Sequence, residues 1–143
     1  MEKKTIAQKS ITRSMLKFTT LAVILLLADA VQAFGQSKIT FRVNLTPQLE
    51  DSVFVPGRDQ IYIQGNLYPL NRSQKNYLQD IAPADSIYET TVDFGATTRG
   101  DQLNYNYIIV TPEKVKREHV PRTLKLQSRE QELDVLYFDS FAW

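Results

Sequence analysis

Gln102-Leu103-Asn104-Tyr105-Asn106-Tyr107-Ile108-Ile109-Val110-Thr111 decides the fold. Leu103, Tyr105, Tyr107 and Ile109 fall on one side of an extended chain, and Asn104 and Asn106 fall on the other. Alternation with a period of two sends successive side chains to opposite faces of a strand, so one face is apolar and the other polar. Tyr105 and Tyr107 share the apolar face, which predicts that they belong to the core.

The same period recurs on both sides of this stretch. In residues 39–45, Ile39, Phe41, Val43 and Leu45 alternate with Thr40, Arg42 and Asn44. In residues 60–65, Ile61 and Ile63 oppose Tyr62 and Gln64. Residues 87–94 are rich in β-branched and aromatic side chains, which favour strands. Residues 123–127 bring Leu124 and Leu126 together, and residues 133–138 set Leu133, Val135 and Tyr137 against Leu136 and Phe138. Turn-forming clusters separate the runs: Pro56-Gly57-Arg58-Asp59, Pro69-Leu70-Asn71, Ala82-Pro83-Ala84-Asp85, Thr98-Arg99-Gly100-Asp101 and Pro112-Glu113-Lys114. No window beyond the N-terminus keeps a helical period for three turns. These features predict an all-β fold, an antiparallel immunoglobulin-like β-sandwich of about six to eight strands.

The N-terminus has a different character. Met1 to Lys17 carries five basic residues, and the 11-residue apolar run from Phe18 to Ala28 follows. Val31 and Ala33 then supply small residues at the spacing of a cleavage site, completing a secretory signal peptide over residues 1–33. The apolar run is shorter than the roughly 20 residues of a membrane span. An uncleaved anchor that borrows flanking residues is the competing reading. Cleavage leaves a single domain, residues 34–143, with no membrane span. The leader holds five basic and two acidic residues against a chain total of +1, so the remainder carries −2. Export to the periplasm, cell surface or medium is expected, and the absence of Cys suits a bacterial envelope.

Composition narrows the chemistry. With no Cys and one His, the chain has no thiolate zinc site, cysteine nucleophile or multi-histidine metal site. The charge balance gives no reason to expect nucleic acid. His119 sits in the charged run Lys114-Val115-Lys116-Arg117-Glu118-His119 and reads as an exposed loop residue. No G-x-S-x-G elbow occurs. Asp80 and Asp85 lie five apart with apolar residues between them, a spacing that suits a hairpin loop better than a calcium loop. About 110 residues around one core make a poor host for a deep catalytic cleft. The expectation is a non-enzyme with no cofactor and no metal.

Three stretches carry a resemblance. The first is Ile39-Thr40-Phe41-Arg42-Val43-Asn44-Leu45. The second is Gln60-Ile61-Tyr62-Ile63-Gln64-Gly65-Asn66-Leu67. The third runs through residues 87–94 and 103–109 to Glu118-His119-Val120-Pro121-Arg122-Thr123-Leu124. Together they resemble the starch- and glycogen-binding modules, small β-sandwiches often appended to amylolytic enzymes. The resemblance implies a glucan partner gripped by two tryptophans and a lysine. In register, the first tryptophan falls near Leu70, the lysine at Asn106 and the second tryptophan at Arg117, so all three contacts are replaced. The only Trp, Trp143, ends the chain.

Two functions follow from the resemblance. In one, the module binds a polysaccharide or oligosaccharide weakly, through a site rebuilt from Tyr62, Tyr68, Asn66, Asn106 and Glu118. The tyrosines would be exposed and would stack on sugar faces, and Asn106 and Glu118 would hold hydroxyls. In the other, the fold persists without the glucan site, as a module that binds an envelope protein partner or serves as a scaffold. The first requires exposed aromatics gathered beside Asn106 or Glu118. The second expects them dispersed, or an apolar patch of Leu67, Leu70, Phe138, Phe141 and Trp143.

Overall fold

The computed structural model describes residues 37–95, 98, 100–127 and 129–140. The expected signal peptide lies outside the described residues, as do Phe141 and Trp143. The elements in chain order are β1 (Lys38–Asn44), α1 (Thr46–Glu50), β2 (Gln60–Gly65), β3 (Asn76–Tyr77), β4 (Gln79–Asp80), β5 (Ile87–Asp93), β6 (Gln102–Val110), β7 (Val115–Arg117), β8 (Arg122–Lys125), β9 (Glu130–Glu132) and β10 (Leu136–Tyr137). They form two sheets of five strands. Sheet I runs β10-β1-β5-β4, with β9 also on β1, and sheet II runs β3-β2-β6-β7, with β8 also on β6. The fold is an all-β, predominantly antiparallel sandwich. No described helix is long and apolar enough to cross a membrane.

Alternation sets the packing. In sheet I, Ile39 pairs with Val92 and Val43 with Tyr88, and all four are buried. In sheet II, Ile61 pairs with Ile109 and Ile63 with Tyr107, again all buried. The two inner faces meet in one core that also takes Leu45, Phe54, Leu70, Leu78, Phe94, Leu126 and Phe138. Phe41 of sheet I meets Tyr105 of sheet II edge to face, with ring centroids 5.1 Å apart. This geometry sets the positive ring edge on the negative ring face. Tyr105 and Tyr107 are core residues, as the alternation predicts.

Three features depart from the alternation. β3, β4, β7 and β9 are two or three residues long, too short to show a period. α1 is a single helical turn after β1, with Pro47 in its first turn, where the missing N–H costs nothing. The expected strand over residues 133–138 shrinks to β10, and the C-terminal chain runs parallel to β1, not antiparallel. Lys38 opposes Glu130 and Thr40 opposes Glu132, but Val43 opposes Leu136, so the C-terminal side carries one extra residue between β9 and β10. That extra residue reverses the facing of the chain. It lets Leu133 and Phe138 both pack on the core, although they are five residues apart.

Candidate functional site

Between β7 and β8 the chain leaves the edge of β6. Ile108 opposes Arg117 and Tyr105 opposes Arg122, so residues 118–121 face only Asn106 and Tyr107. Pro121 in this segment has no N–H to give to a ladder. The Tyr107 N–H therefore donates to the Glu118 carboxylate at 2.9 Å. Arg122 donates to both carboxylate oxygens, at 2.6 Å through Nη2 and 3.2 Å through Nε. The Asp139 N–H donates to Oε1 at 3.0 Å. Arg122 also reaches the Tyr137 carbonyl and lies 4.9 Å from the Tyr107 ring centroid, and the Tyr107 hydroxyl donates to the Arg42 carbonyl of sheet I. Burial works against the Arg122 charge, but the Glu118 carboxylate more than offsets it and raises the guanidinium pKa. Burial likewise pushes the Tyr107 phenol well above its ordinary value and Tyr105 up to about 12.

The expected role of Glu118 is thereby corrected. Its side chain is buried and its oxygens are committed to Arg122 and two backbone donors, so it holds the fold instead of a sugar hydroxyl. Tyr62 is corrected too. It points away from the core, but Lys75 Nζ sits 4.0 Å from its ring centroid and the Tyr77 edge closes on it at 6.0 Å, leaving it 6% exposed. Asn106 is buried, donates to the Glu118 carbonyl at 3.3 Å and has Arg117 Nη1 3.5 Å from its side-chain oxygen.

Asn66 and Tyr68 are exposed. Asn66 prolongs the sheet with its own side chain, accepting from the Asn104 N–H at 2.8 Å and donating to the Gln102 carbonyl at 3.3 Å. Gly65 just before it is required by close approach, since a Cβ there would meet the Asn104 carbonyl at 3.0 Å. Tyr68 is half exposed with the Arg72 guanidinium 4.3 Å from its ring centroid. Among the described residues no hydrogen bond or ring contact joins Tyr68 to Asn66, Asn106 or Glu118. Of the positions implied by the resemblance, Asn106 and Arg117 are neighbours, whereas Leu70 is in the core. Leu70 and Phe138 are buried, which removes them from the expected apolar surface patch.

The polar face of sheet II assembles a different surface. Register sets Gln102 beside Lys125, Asn104 beside Thr123, Gln64 beside Asn106, and Tyr62 between Ile108 and Tyr77. Thr123 donates to the Asn104 side-chain oxygen at 3.0 Å, and Arg117 donates to the Gln64 side-chain oxygen at 2.5 Å. Gln102, Asn104, Thr123, Lys125, Arg117 and Tyr77 are exposed. Asn104, Asn106 and the alternation of β6 announce this polar face in the sequence. Nothing local announces that Thr123, Lys125 and Arg117 lie beside it.

Elsewhere, a cleft of about 240 Å³ opens between the sheets beside Phe54, Gln60, Tyr77, Gln79 and Tyr88. A trough of about 310 Å³ lies on sheet I along Thr40, Thr91 and Glu132. Asp80 accepts from the Asp85 and Ser86 N–H groups, closing the loop between β4 and β5. His119 is exposed and pairs with Asp139 at 2.5 Å. No known family model matches the chain, and no curated protein matches its sequence.

Proposed function

We propose that the chain is an exported, non-catalytic glycan-binding module whose contact surface is the polar face of sheet II, not the glucan platform of the starch-binding modules. One observation carries this reading: a continuous exposed band of side-chain amides and a hydroxyl, Gln102, Asn104, Asn66 and Thr123, on the same sheet as the half-exposed ring of Tyr77, which stands beside Tyr62 toward the other end of the face. Sugar hydroxyls need paired donors and acceptors, and an amide supplies both. Apolar sugar faces stack on aromatic rings. The Thr123–Asn104 and Asn104–Asn66 bonds hold the band in place before any ligand arrives, which lowers the ordering cost of binding.

Affinity is expected to be low. Each missing indole removes on the order of 1 kcal/mol, and two of them with a fixed cation make about a hundredfold. The test is titration of the purified chain with neutral and acidic oligosaccharides, before and after Asn104→Ala with Tyr77→Ala. Saturable binding lost in the double variant is the expected result. Binding that survives it places the site elsewhere, and no binding to any glycan leaves the protein-interaction reading in its place.

A further inference from the structure

We infer that the polar face of sheet II takes an acidic glycan, one bearing uronate or sulfate groups, in preference to a neutral glucan. This rests on the glycan-binding reading above and specifies its ligand class. The first observation is a partition of charge between the sheets. The strands of sheet II contain no acidic residue, and of their four cations Arg117 and Lys125 fall on the outer face, whereas Lys116 and Arg122 are in register with the core-facing Ile109 and Tyr105. The strands of sheet I contain Asp80, Glu89, Asp93, Glu130 and Glu132 against Lys38 and Arg42. A domain whose sequence nets −2 after cleavage thus keeps acids out of the strands of one sheet.

The second observation is that the two sheets treat their surface cations differently. On sheet I, Lys38 pairs with Glu130 at 3.2 Å, and Arg42 pairs with Glu132 and with Glu89 at 3.6 Å. On sheet II, Lys75, Arg117 and Lys125 are exposed, and among the described residues none of them has an ion-pair partner. Arg117 is held by the neutral oxygens of Gln64 and Asn106, which fix its direction without cancelling its charge. Lys75 is held over the Tyr62 ring. An exposed anion on the partner completes these cations, and a guanidinium suits carboxylate and sulfate in particular.

The spacing separates a glycan from a point anion. Lys125 opposes Gln102 and Arg117 opposes Ile108, so six residues of β6 separate the two rows, roughly 20 Å at the rise of a strand. Between them Asn104 and Thr123 are exposed and Gln64 is half-buried, an amide, a hydroxyl and a second amide matched to hydroxyl groups, while Asn106 is buried. A chain of several sugar units with acidic groups at intervals fits both the ends and the middle of this face. Neither a free anion nor a neutral glucan uses both.

The purified full chain is titrated with polygalacturonate oligomers, a sulfated dextran oligomer and maltoheptaose, at low and high salt, alongside Lys75→Gln/Arg117→Gln/Lys125→Gln. Circular dichroism and the urea midpoint verify that the variant folds. Acidic oligomers should bind roughly tenfold or more tightly than maltoheptaose. That advantage should vanish in the triple variant and shrink with salt. The uronate and sulfate arms decide which acid is preferred. Equal or tighter maltoheptaose binding overturns the acidic-ligand inference and leaves the glycan reading standing. Poly-glutamate or duplex DNA binding as tightly as the acidic oligomers overturns it as well, because charge alone would then suffice. No binding to any oligosaccharide removes both.

Discussion

Arg117 and Arg122 are five residues apart and meet opposite fates. Arg122 lies inside the sandwich, bonded to the Glu118 carboxylate and packed over Tyr107. Arg117 lies outside, exposed, and its hydrogen-bond partners among the described residues are the neutral amide oxygens of Gln64 and Asn106. The interior must satisfy a charge completely, because an unpaired buried ion costs several kcal/mol. The surface has no such requirement, since water screens what the protein leaves unpaired. The Glu118–Arg122 cluster is therefore architecture, and the face around Arg117 is where the proposed ligand would meet exposed charge.

The largest expected effect breaks the interior half of this contrast. Glu118→Ala removes the carboxylate that neutralises the buried Arg122 guanidinium and takes away the side-chain acceptor of the Tyr107 and Asp139 N–H groups. Urea unfolding should show a loss of about 3–5 kcal/mol, and Glu118→Leu with Arg122→Met should lose less than Glu118→Ala alone. A loss below about 1 kcal/mol would show that the cluster does not organise the β7–β8 segment. Tyr107→Phe comes next. It removes one hydrogen bond from Tyr107 to the Arg42 carbonyl, and the same assay should register about 1 kcal/mol.

A smaller effect concerns acid. Burial opposes the Asp139 charge, but the backbone and ring donors of His119 outweigh it and hold the carboxyl below its ordinary value of 3.8. A carboxyl depressed in the folded state stabilises above its unfolded pKa, and that contribution disappears as pH falls through the folded value. The urea midpoint should therefore fall below about pH 4. Asp139→Asn should flatten that fall in part, because Asp59 beside Arg58 is also depressed and remains. An unchanged pH profile in the variant would mean that the His119–Asp139 contact does not persist in solution. The smallest effect sharpens the exterior half. Lys75→Gln/Arg117→Gln/Lys125→Gln should move stability by no more than about 0.5 kcal/mol while abolishing the preference for acidic oligosaccharides. A large loss of stability would show that these cations serve the fold.

Much of the strand layout is legible in the sequence alone. β1, β2, β5, β6 and β8 fall within a residue or two of where alternation sets them, since each has a long enough run to show its period. The sixth run is the exception, because one extra residue opposite β1 breaks the period while keeping Leu133 and Phe138 inside. The candidate site is less legible. Asn66 and Tyr68 are exposed, but Tyr62 is covered by Lys75 and Tyr77, and Glu118 is turned inward by an N–H that has no strand partner. Both depend on residues that alternation does not bring together.

Period-two alternation is a property of neighbours along the chain, so the sequence by itself determined the longer strands β1, β2, β5 and β6 and which face of β6 enters the core. It also determined the absence of thiolate and multi-histidine chemistry, since residue types that are missing cannot be supplied by folding. Pairing between strands is a property of distant segments. Only the tertiary structure decided that β2, β6, β7 and β8 share one sheet, that this sheet gathers cations without acids, and that Glu118 spends its charge on Arg122. The physical reason is that burial and Coulomb energy depend on distances in space, and the distances that matter here are set by register between segments far apart in the chain.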